Sequence, residues 1–290
     1  MIKNVTKIII VFILFSLKVN AATLVHFKVE AENSQLVLDI LKLAMSKSSP
    51  NTHFVENKET TNIFRFIEKM DAGKASLMWS GTTTELQNKL RAIKIPILKG
   101  LLGHRLLLIR NGEQNRFDHI KDIEDLKEMT AGQGAFWGDA LILKENLLPV
   151  ITTKKWRNLF LMLNGKRFDY FPRALHEPWV EIEEHKKLNF SIEKNLLLVY
   201  PYAMYFFVSK KNEVLAQQIE KGLNEAINDG SYDKLFFNHP MVKNALAQAH
   251  LQERTVINLT NSVIPRDMPI KNKKYWLDLK ILKAKKVSVE

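Results

Sequence analysis

Cysteine is absent from the 290 residues of this sequence. Its absence excludes disulfide bonds, a cysteine nucleophile and a lipid anchor on an N-terminal cysteine. Stability must therefore come from a buried core, and a hydrophobic content of 46% is ordinary for a globular protein. The length suits two domains, or one large domain, within the usual range of domain sizes.

Long hydrophobic runs are also scarce, and the one that stands out is Ile8–Leu17. It follows two lysines, and Val19 and Ala21 come after it at positions that suit signal-peptidase cleavage. A helix that spans a bilayer needs about 20 apolar residues. We therefore expect residues 1–21 to be a cleaved signal peptide rather than a retained membrane anchor, and the mature chain to be soluble and periplasmic.

The formal net charge of +12 is concentrated near the two ends of the chain. Three lysines lie in the predicted signal peptide, and residues 271–290 contain seven lysines against Asp278 and Glu290. The body of the chain is only weakly basic, so it does not indicate a nucleic-acid partner. We predict that residues 271–290 form a weakly structured basic tail. We expect this tail to keep the protein soluble, and the alternative is that it contacts anionic lipid.

Motifs for catalysis and metal binding are missing as well. The sequence contains no Gly-x-Ser-x-Gly nucleophile elbow and no Gly-x4-Gly-Lys phosphate loop. His176-Glu177 and the pair Glu181 and His185 lack the His-Glu-x-x-His spacing that places two metal ligands on one helix face. We expect no catalytic residue, no metal and no cofactor, and we interpret this segment as a charged, exposed helix.

Segments with strand and helix periodicity alternate along most of the chain, which is typical of an α/β fold with mainly parallel sheets. A helix–glycine–lysine–strand unit occurs twice, in Phe66–Trp79 and in Phe160–Phe171. The two units are about 90 residues apart, which would place one in each of two similar lobes. No low-complexity linker separates them, so we predict that strands crossing between the lobes join them.

Three stretches of the chain, in their order and spacing, resemble a known family. They are Lys94–Leu108, where a strand would leave the first lobe, Asp125–Gly134, a turn and glycine-containing strand, and Tyr200–Tyr232, a return strand and long helix. The chain resembles the extracellular solute-binding proteins of family 3, which serve amino-acid importers, as a divergent branch. The resemblance covers residues 24–250.

The resemblance implies a two-lobed periplasmic-binding-protein type II architecture, in which a ligand enters a cleft and the lobes close on it. It places the first lobe in residues 22–107 and 206–270, and the second lobe in residues 108–205. We expect a monomer that captures a small polar or anionic molecule for a membrane permease or a sensor protein.

Ligand contacts are expected where strand ends and helix starts face the cleft, because free N–H groups there suit carboxylates and other anions. In the first lobe these positions are Ser80, Gly81, Thr82 and Thr83, and in the second lobe the position is Gly134. The alternative interpretation of both loops is ordinary turn chemistry.

Two arginines and two tryptophans complete the predicted site. Arg91 is the nearest candidate for the arginine with which the family holds an α-carboxylate, although its spacing departs from the family pattern. Arg173 lies where the family often has an aspartate for the α-amino group, which favours an anionic ligand group over an ordinary amino acid. Trp79 and Trp137 fall near strand ends, where their rings could stack on a ligand.

Two other functions stay open at the level of sequence. The same scaffold suits an enzyme of the dehydratase or lyase type that uses a cleft carboxylate, and it suits a ligand-responsive signalling module. Product formation would indicate the enzyme, whereas a thermal shift without turnover would indicate binding.

Overall fold

The computed structural model describes residues 23–28, 32–58, 63–262, 265 and 267–278. The predicted signal peptide, residues 1–21, lies outside the described residues. Within them, no helix is both long enough and apolar enough to cross a membrane.

Strands and helices alternate through most of these residues. The strands are, in chain order, β1 (Thr23–His26), β2 (His53–Glu56), β3 (Leu77–Gly81), β4 (Leu90–Ile93), β5 (His104–Arg110), β6 (Ala131–Gly134), β7 (Val150–Thr153), β8 (Phe171–Ala174), β9 (Phe190–Ile192), β10 (Leu196–Val199), β11 (Met204–Ser209) and β12 (Thr255–Asn258). The helices are α1 (Glu32–Ser48), α2 (Ile63–Asp71), α3 (Thr84–Lys89), α4 (Ile123–Leu126), α5 (Gly138–Glu145), α6 (Asn158–Asn164), α7 (Pro178–Glu184), α8 (Glu213–Asn228), α9 (Ser231–Asn238) and α10 (Pro240–Gln248).

The first sheet has the strand order β2-β1-β3-β11-β4 and is covered on both faces. Successive side chains of a strand point to opposite faces, and β11 follows this rule. Phe206 and Val208 pack into the core that α1 and α8 cover, whereas Tyr205 and Phe207 pack with Phe66 of α2 on the other face. Burial on both faces explains why this strand is apolar almost throughout.

Helices α1 and α8 approach each other closely on one face of the first sheet. A Cβ atom added to Gly222 would lie 1.9 Å from the carbonyl oxygen of Ala44. Glycine is required there because any side chain would meet the backbone of the neighbouring helix. Leu223 and Ile219 flank this contact and are fully buried.

The second sheet has the order β12-β10-β5-β8, and β9 also pairs with β5. β5 runs antiparallel to β8, β9 and β10, and β11 runs antiparallel to its two neighbours in the first sheet. A short parallel pair, β6 and β7, connects to this region through a bridge between Ala131 and Tyr170. Both sheets are therefore mixed, because a single strand, β11 in the first sheet and β5 in the second, runs against the others.

Three strands differ from the sequence-based expectation. The strand predicted at Phe168–Phe171 begins only at Phe171. β4 follows directly on α3 and was not predicted. β12 was not predicted either, and it pairs with β10 of the second sheet. The lobe limits stay a prediction.

The two lobes are joined by several chain crossings and by a continuous core. Between described residues, the chain crosses from β4 to β5, from β10 to β11, from α10 to β12, and from β12 back to Met268, which packs with the first sheet. Leu106, Leu175 and Leu197, which lie on or beside strands of the second sheet, pack into the same core cluster as the first sheet. The crossings from β4 to β5 and from β10 to β11 lie close together, because His104 at the start of β5 pairs with Val199 at the end of β10.

The C-terminal segment packs against the loop that precedes β5. The Lys99 Nζ donates to the carbonyl oxygen of Lys274, and the Leu277 amide donates to the carbonyl oxygen of Lys99. The ring of Trp276 covers Gly100, which adopts the left-handed conformation with φ of 77°. Residues 271–278 are thus fastened to the first lobe, unlike the weakly structured tail that was predicted, and residues 279–290 lie outside the described residues.

Candidate ligand-binding site

The first lobe contributes the turn that follows β3. Thr83 caps α3, and its Oγ1 accepts a hydrogen bond from the amide of Leu86 at 3.2 Å. Thr82 is buried, its amide donates to the carbonyl oxygen of Ala203, and its hydroxyl oxygen accepts from Gln87 at 3.0 Å. The turn therefore has well-defined capping chemistry and lies beside the segment that crosses between the lobes.

Tyr202, on that crossing segment, fills the space between glycines of the two lobes. A Cβ atom added to Gly81, at the end of β3, would lie 2.4 Å from the Tyr202 hydroxyl oxygen. One added to Gly138, at the start of α5, would lie 2.7 Å from the same oxygen. Burial raises the pKa of Tyr202 strongly, and the Gly138 backbone beside the hydroxyl opposes that rise. Both lobes thus meet on one neutral phenol.

A buried ion pair lies next to this phenol in the second lobe. The guanidinium of Arg105 contacts the carboxylate of Asp139 through Nη2, and its Nε donates to the Tyr200 hydroxyl at 2.9 Å. The Tyr200 hydroxyl in turn donates to the same carboxylate. Arg105 is 2% exposed and Asp139 is 4% exposed. Because both charges are withdrawn from water, each depends on the other for its stability.

Arg173 already has carboxylate partners of its own. Its Nε donates to both carboxylate oxygens of Glu181, at 2.8 and 3.0 Å, and its Nη2 lies 3.1 Å from Glu177 Oε2. The guanidinium lies over the rings of Phe171 and Trp137, at 4.7 and 5.1 Å from their centroids. The charge of Arg173 is therefore compensated within the protein, where we had expected an anionic ligand group.

Arg91 lies at the edge of the first sheet, on β4. Its Nε donates to Glu213 at 3.2 Å, and its Nη2 lies 3.8 Å from Glu220. Both glutamates belong to α8, and the Arg91 side chain is 34% exposed. Because Glu213 and Glu220 neutralise the charge of Arg91, we leave Arg91 out of the proposed site.

The predicted aromatic and glycine positions serve mainly the packing of each lobe. Trp79 is 8% exposed, with its ring against Phe206 in the first core. In the second lobe, Trp137 stacks on Phe171 with ring centroids 6.3 Å apart. A Cβ atom on Gly134 would lie 2.6 Å from the Trp137 ring, so this glycine makes room for the tryptophan.

Sequence reasoning missed the residues that form the floor of the cleft, namely Arg105, Asp139, Tyr200 and Tyr202. One signal was available, because Arg105 and its neighbour His104 interrupt the otherwise apolar run 101–109. An arginine in a strand buried on both sides needs a buried acid, since isolated charges are very costly to bury.

His176 lies in this floor without a hydrogen-bond partner for its Nδ1, and it is only 2% exposed. Burial lowers its pKa to about 4, the Glu177 charge opposes the decrease, and the charges of Arg105 and Arg173 reinforce it. The imidazole is therefore neutral at physiological pH.

We expect the free energy of unfolding to decrease as the pH falls from about 6.5 to about 4. In that window the unfolded chain binds a proton at His176 while the folded protein does not, so acid favours the unfolded state. The contribution reaches about 3 kcal/mol when the pH meets the folded pKa. Urea denaturation at closely spaced pH values measures it.

The matched variants for this prediction are His176→Gln and His119→Gln. The first should flatten the pH dependence in this window, while the second, at a side chain that is 57% exposed, should leave it as it is. An unchanged slope in His176→Gln would contradict the assignment. His104, which is also buried with a lowered pKa, should supply the slope that remains.

Solved structures share this architecture at low sequence identity. An ancestral arginine-binding protein bound to arginine is 18% identical, covers 74% of this chain and 96% of its own, and has a TM-score of 0.53. A probable amino-acid ABC transporter extracellular-binding protein from Bacillus subtilis is 18% identical, covers 77% of this chain and 100% of its own, and has a TM-score of 0.57. The VFT2 domain of BvgS from Bordetella pertussis is 15% identical, covers 74% and 91%, and has a TM-score of 0.58.

No protein-family model matches the chain, and no curated protein matches its sequence. The structural matches confirm the predicted resemblance at the level of the fold, which is the two-lobed α/β fold of type II periplasmic binding proteins.

Proposed function

We propose that this chain is an exported solute-binding protein that closes two lobes around a small polar ligand for a membrane permease or sensor protein. One observation carries the proposal: Gly81 of the first lobe and Gly138 of the second meet on the two sides of Tyr202. The strand end of one lobe and the helix start of the other therefore converge on a single site. Ser80, Thr82, Thr83, Gly134 and Trp137 remain our proposed ligand-binding positions.

Two phenylalanines from opposite lobes support closure. Phe64 of α2 is 42% exposed and Phe136, just before α5, is 64% exposed. Their rings make an edge-to-face contact with centroids 6.2 Å apart. Such a contact requires the lobes to be close, and it places two rings where they would cover a bound solute.

Delivery of the solute to a permease or to a sensor protein is part of our proposal, because the fold is common to both kinds of protein. An ABC transporter extracellular-binding protein and the VFT2 domain of BvgS share this architecture. Import and sensing would both use ligand-driven closure, so binding is the property to test first.

Thermal unfolding of the exported protein with a library of small polar metabolites tests the proposal. A ligand at 100 times its Kd adds about 2.7 kcal/mol of stability. For a chain of this size we expect the Tm to rise by roughly 5 to 10 °C. Failure of every small polar metabolite to raise the Tm would contradict solute binding.

Variants at the mouth of the cleft provide the control. Phe136→Ala should weaken the binding of any compound that raises the Tm, whereas Leu161→Ala, at an apolar side chain of α6 that is 62% exposed, should not. Conversion of that compound to a product during incubation, followed by NMR, would favour an enzyme on the same scaffold.

A further inference from the structure

The second-lobe floor contains three groups that could bind an anionic ligand, and each of them already faces a protein acceptor. Asp139 neutralises the guanidinium of Arg105, and Glu181 neutralises that of Arg173. The third group is the backbone at the start of α5, where the Tyr202 hydroxyl lies against Gly138. Few donors are therefore left for a ligand carboxylate in the second lobe.

The first lobe does not supply the missing donor where it was predicted. Arg91 is engaged by Glu213 and Glu220 at the outer edge of the sheet. The turn at Ser80–Thr83 offers hydroxyl groups and backbone amides, which suit a neutral or cationic polar group as well as an anion.

Glu177 is the floor residue with acceptor capacity to spare. Its Oε2 accepts from the Ala174 amide at 2.7 Å and lies 3.1 Å from Arg173 Nη2 and 3.6 Å from Arg105 Nη1. Its Oε1 has no donor among the described residues, and the side chain is 17% exposed. One carboxylate oxygen thus remains available at the most exposed acid of the floor.

The formal charge of the floor also favours a positively charged ligand. Two guanidinium groups, Arg105 and Arg173, face three carboxylates, those of Asp139, Glu177 and Glu181. His176, buried beside Glu177, is neutral and adds no positive charge. Excess negative charge and the unused acceptor of Glu177 favour a ligand that donates hydrogen bonds and carries a positive charge.

We infer that the ligand carries an ammonium or guanidinium group, which Glu177 binds, and has no carboxylate group. This inference rests on the proposed solute-binding function and specifies the ligand class of the same site. Arg105, Arg173 and Tyr202 act as positioning residues, because they hold Asp139, Glu177 and the start of α5 in place.

Amino acids and their decarboxylated amines provide matched probes. Agmatine is compared with arginine, and putrescine with ornithine, by calorimetric titration of the wild-type protein. We expect the amine of at least one pair to bind 10-fold or more tightly than its amino acid. An amino acid that binds as tightly as its amine, or amines that do not bind at all, would overturn the inference.

Glu177→Gln tests the named acceptor, with Glu184→Gln on the exposed side of α7 as its control. We expect the first variant to lose 10-fold or more of the affinity for the amine and the second to keep it. Tyr202→Phe removes the acceptor beside Gly138, so it should improve the affinity for the amino acid relative to the amine. If Glu177→Gln does not fold, the wild-type comparison and Tyr202→Phe still decide the question.

The two proposals fail in distinguishable ways. A library compound that binds through a carboxylate would overturn the inferred ligand class and leave solute binding intact. Absence of binding by every amine, amino acid and library metabolite would overturn both.

Discussion

Gly222→Ala is expected to lower the free energy of unfolding by about 3 kcal/mol, as overpacking of a close contact does. The added Cβ atom would lie 1.9 Å from the carbonyl oxygen of Ala44 and 2.6 Å from its carbonyl carbon. These are backbone atoms, so relief requires α1 and α8 to move apart and to lose contacts along their length. Urea denaturation measures the change.

The sign of this result is informative because helix propensity predicts the opposite. Alanine is favoured over glycine in a helix interior by about 1 kcal/mol, so a variant governed by propensity would be more stable than the wild type. Val214→Ala, at a position of the same helix that is 69% exposed, is the control and should change stability by less than about 0.5 kcal/mol. A stabilised Gly222→Ala protein would contradict the close approach of the helices.

Arg105→Met is expected to cost about 3 to 5 kcal/mol of stability, because it leaves a buried charge without its partner. Asp139 would keep the Tyr200 hydroxyl as a donor but lose the guanidinium that compensates its charge. Chemical denaturation at neutral pH measures this loss.

Two further variants separate the buried pair from charge effects in general. Arg105→Met combined with Asp139→Leu removes both charges and should recover most of the stability that the single variant loses. Lys221→Met breaks an exposed pair with Glu225, whose side chain is 45% exposed, and should cost no more than about 1 kcal/mol. Equal losses for the exposed and the buried pair would refute the role assigned to Arg105.

Helices and their ends could be predicted from the sequence because their signals are local. The apolar spacing of Ile63–Met70 gave α2, and Asp122 caps α4 by accepting hydrogen bonds from the amides of Glu124 and Asp125. Pro240 stands at the first position of α10, where its missing N–H costs nothing.

Strand limits were harder to predict because they depend on distant partners. Pro172 lies within β8, the last strand in the order of the second sheet, where a missing N–H is tolerated. β4 begins at Leu90, directly after α3, without a turn residue to separate them. Local periodicity therefore extended the predicted helix to Leu90, where β4 begins, and it ended the predicted strand at Phe171, where β8 begins.

The candidate site could be located only in part. The strand-end rule led to residues 80–83 and to the neighbourhood of Arg173, which stay a prediction as ligand-binding positions. The rule could not identify partners, because Asp139 and Tyr200 lie 34 and 95 residues from Arg105 in the sequence. Which acid neutralises which arginine is decided by the fold, and the expected ligand charge changes with it.

The pairing of β12 with β10 has a mechanical consequence. A hinge made of two strands lets one lobe both bend and twist relative to the other. Here α10 leads into β12 at the Leu196 end of β10, and the chain after β12 returns to the first lobe, where Met268 packs. The lobes therefore have more than two connections, and additional connections resist torsion more than bending. We therefore expect the lobes to move relative to one another mainly by opening and closing, with little twist.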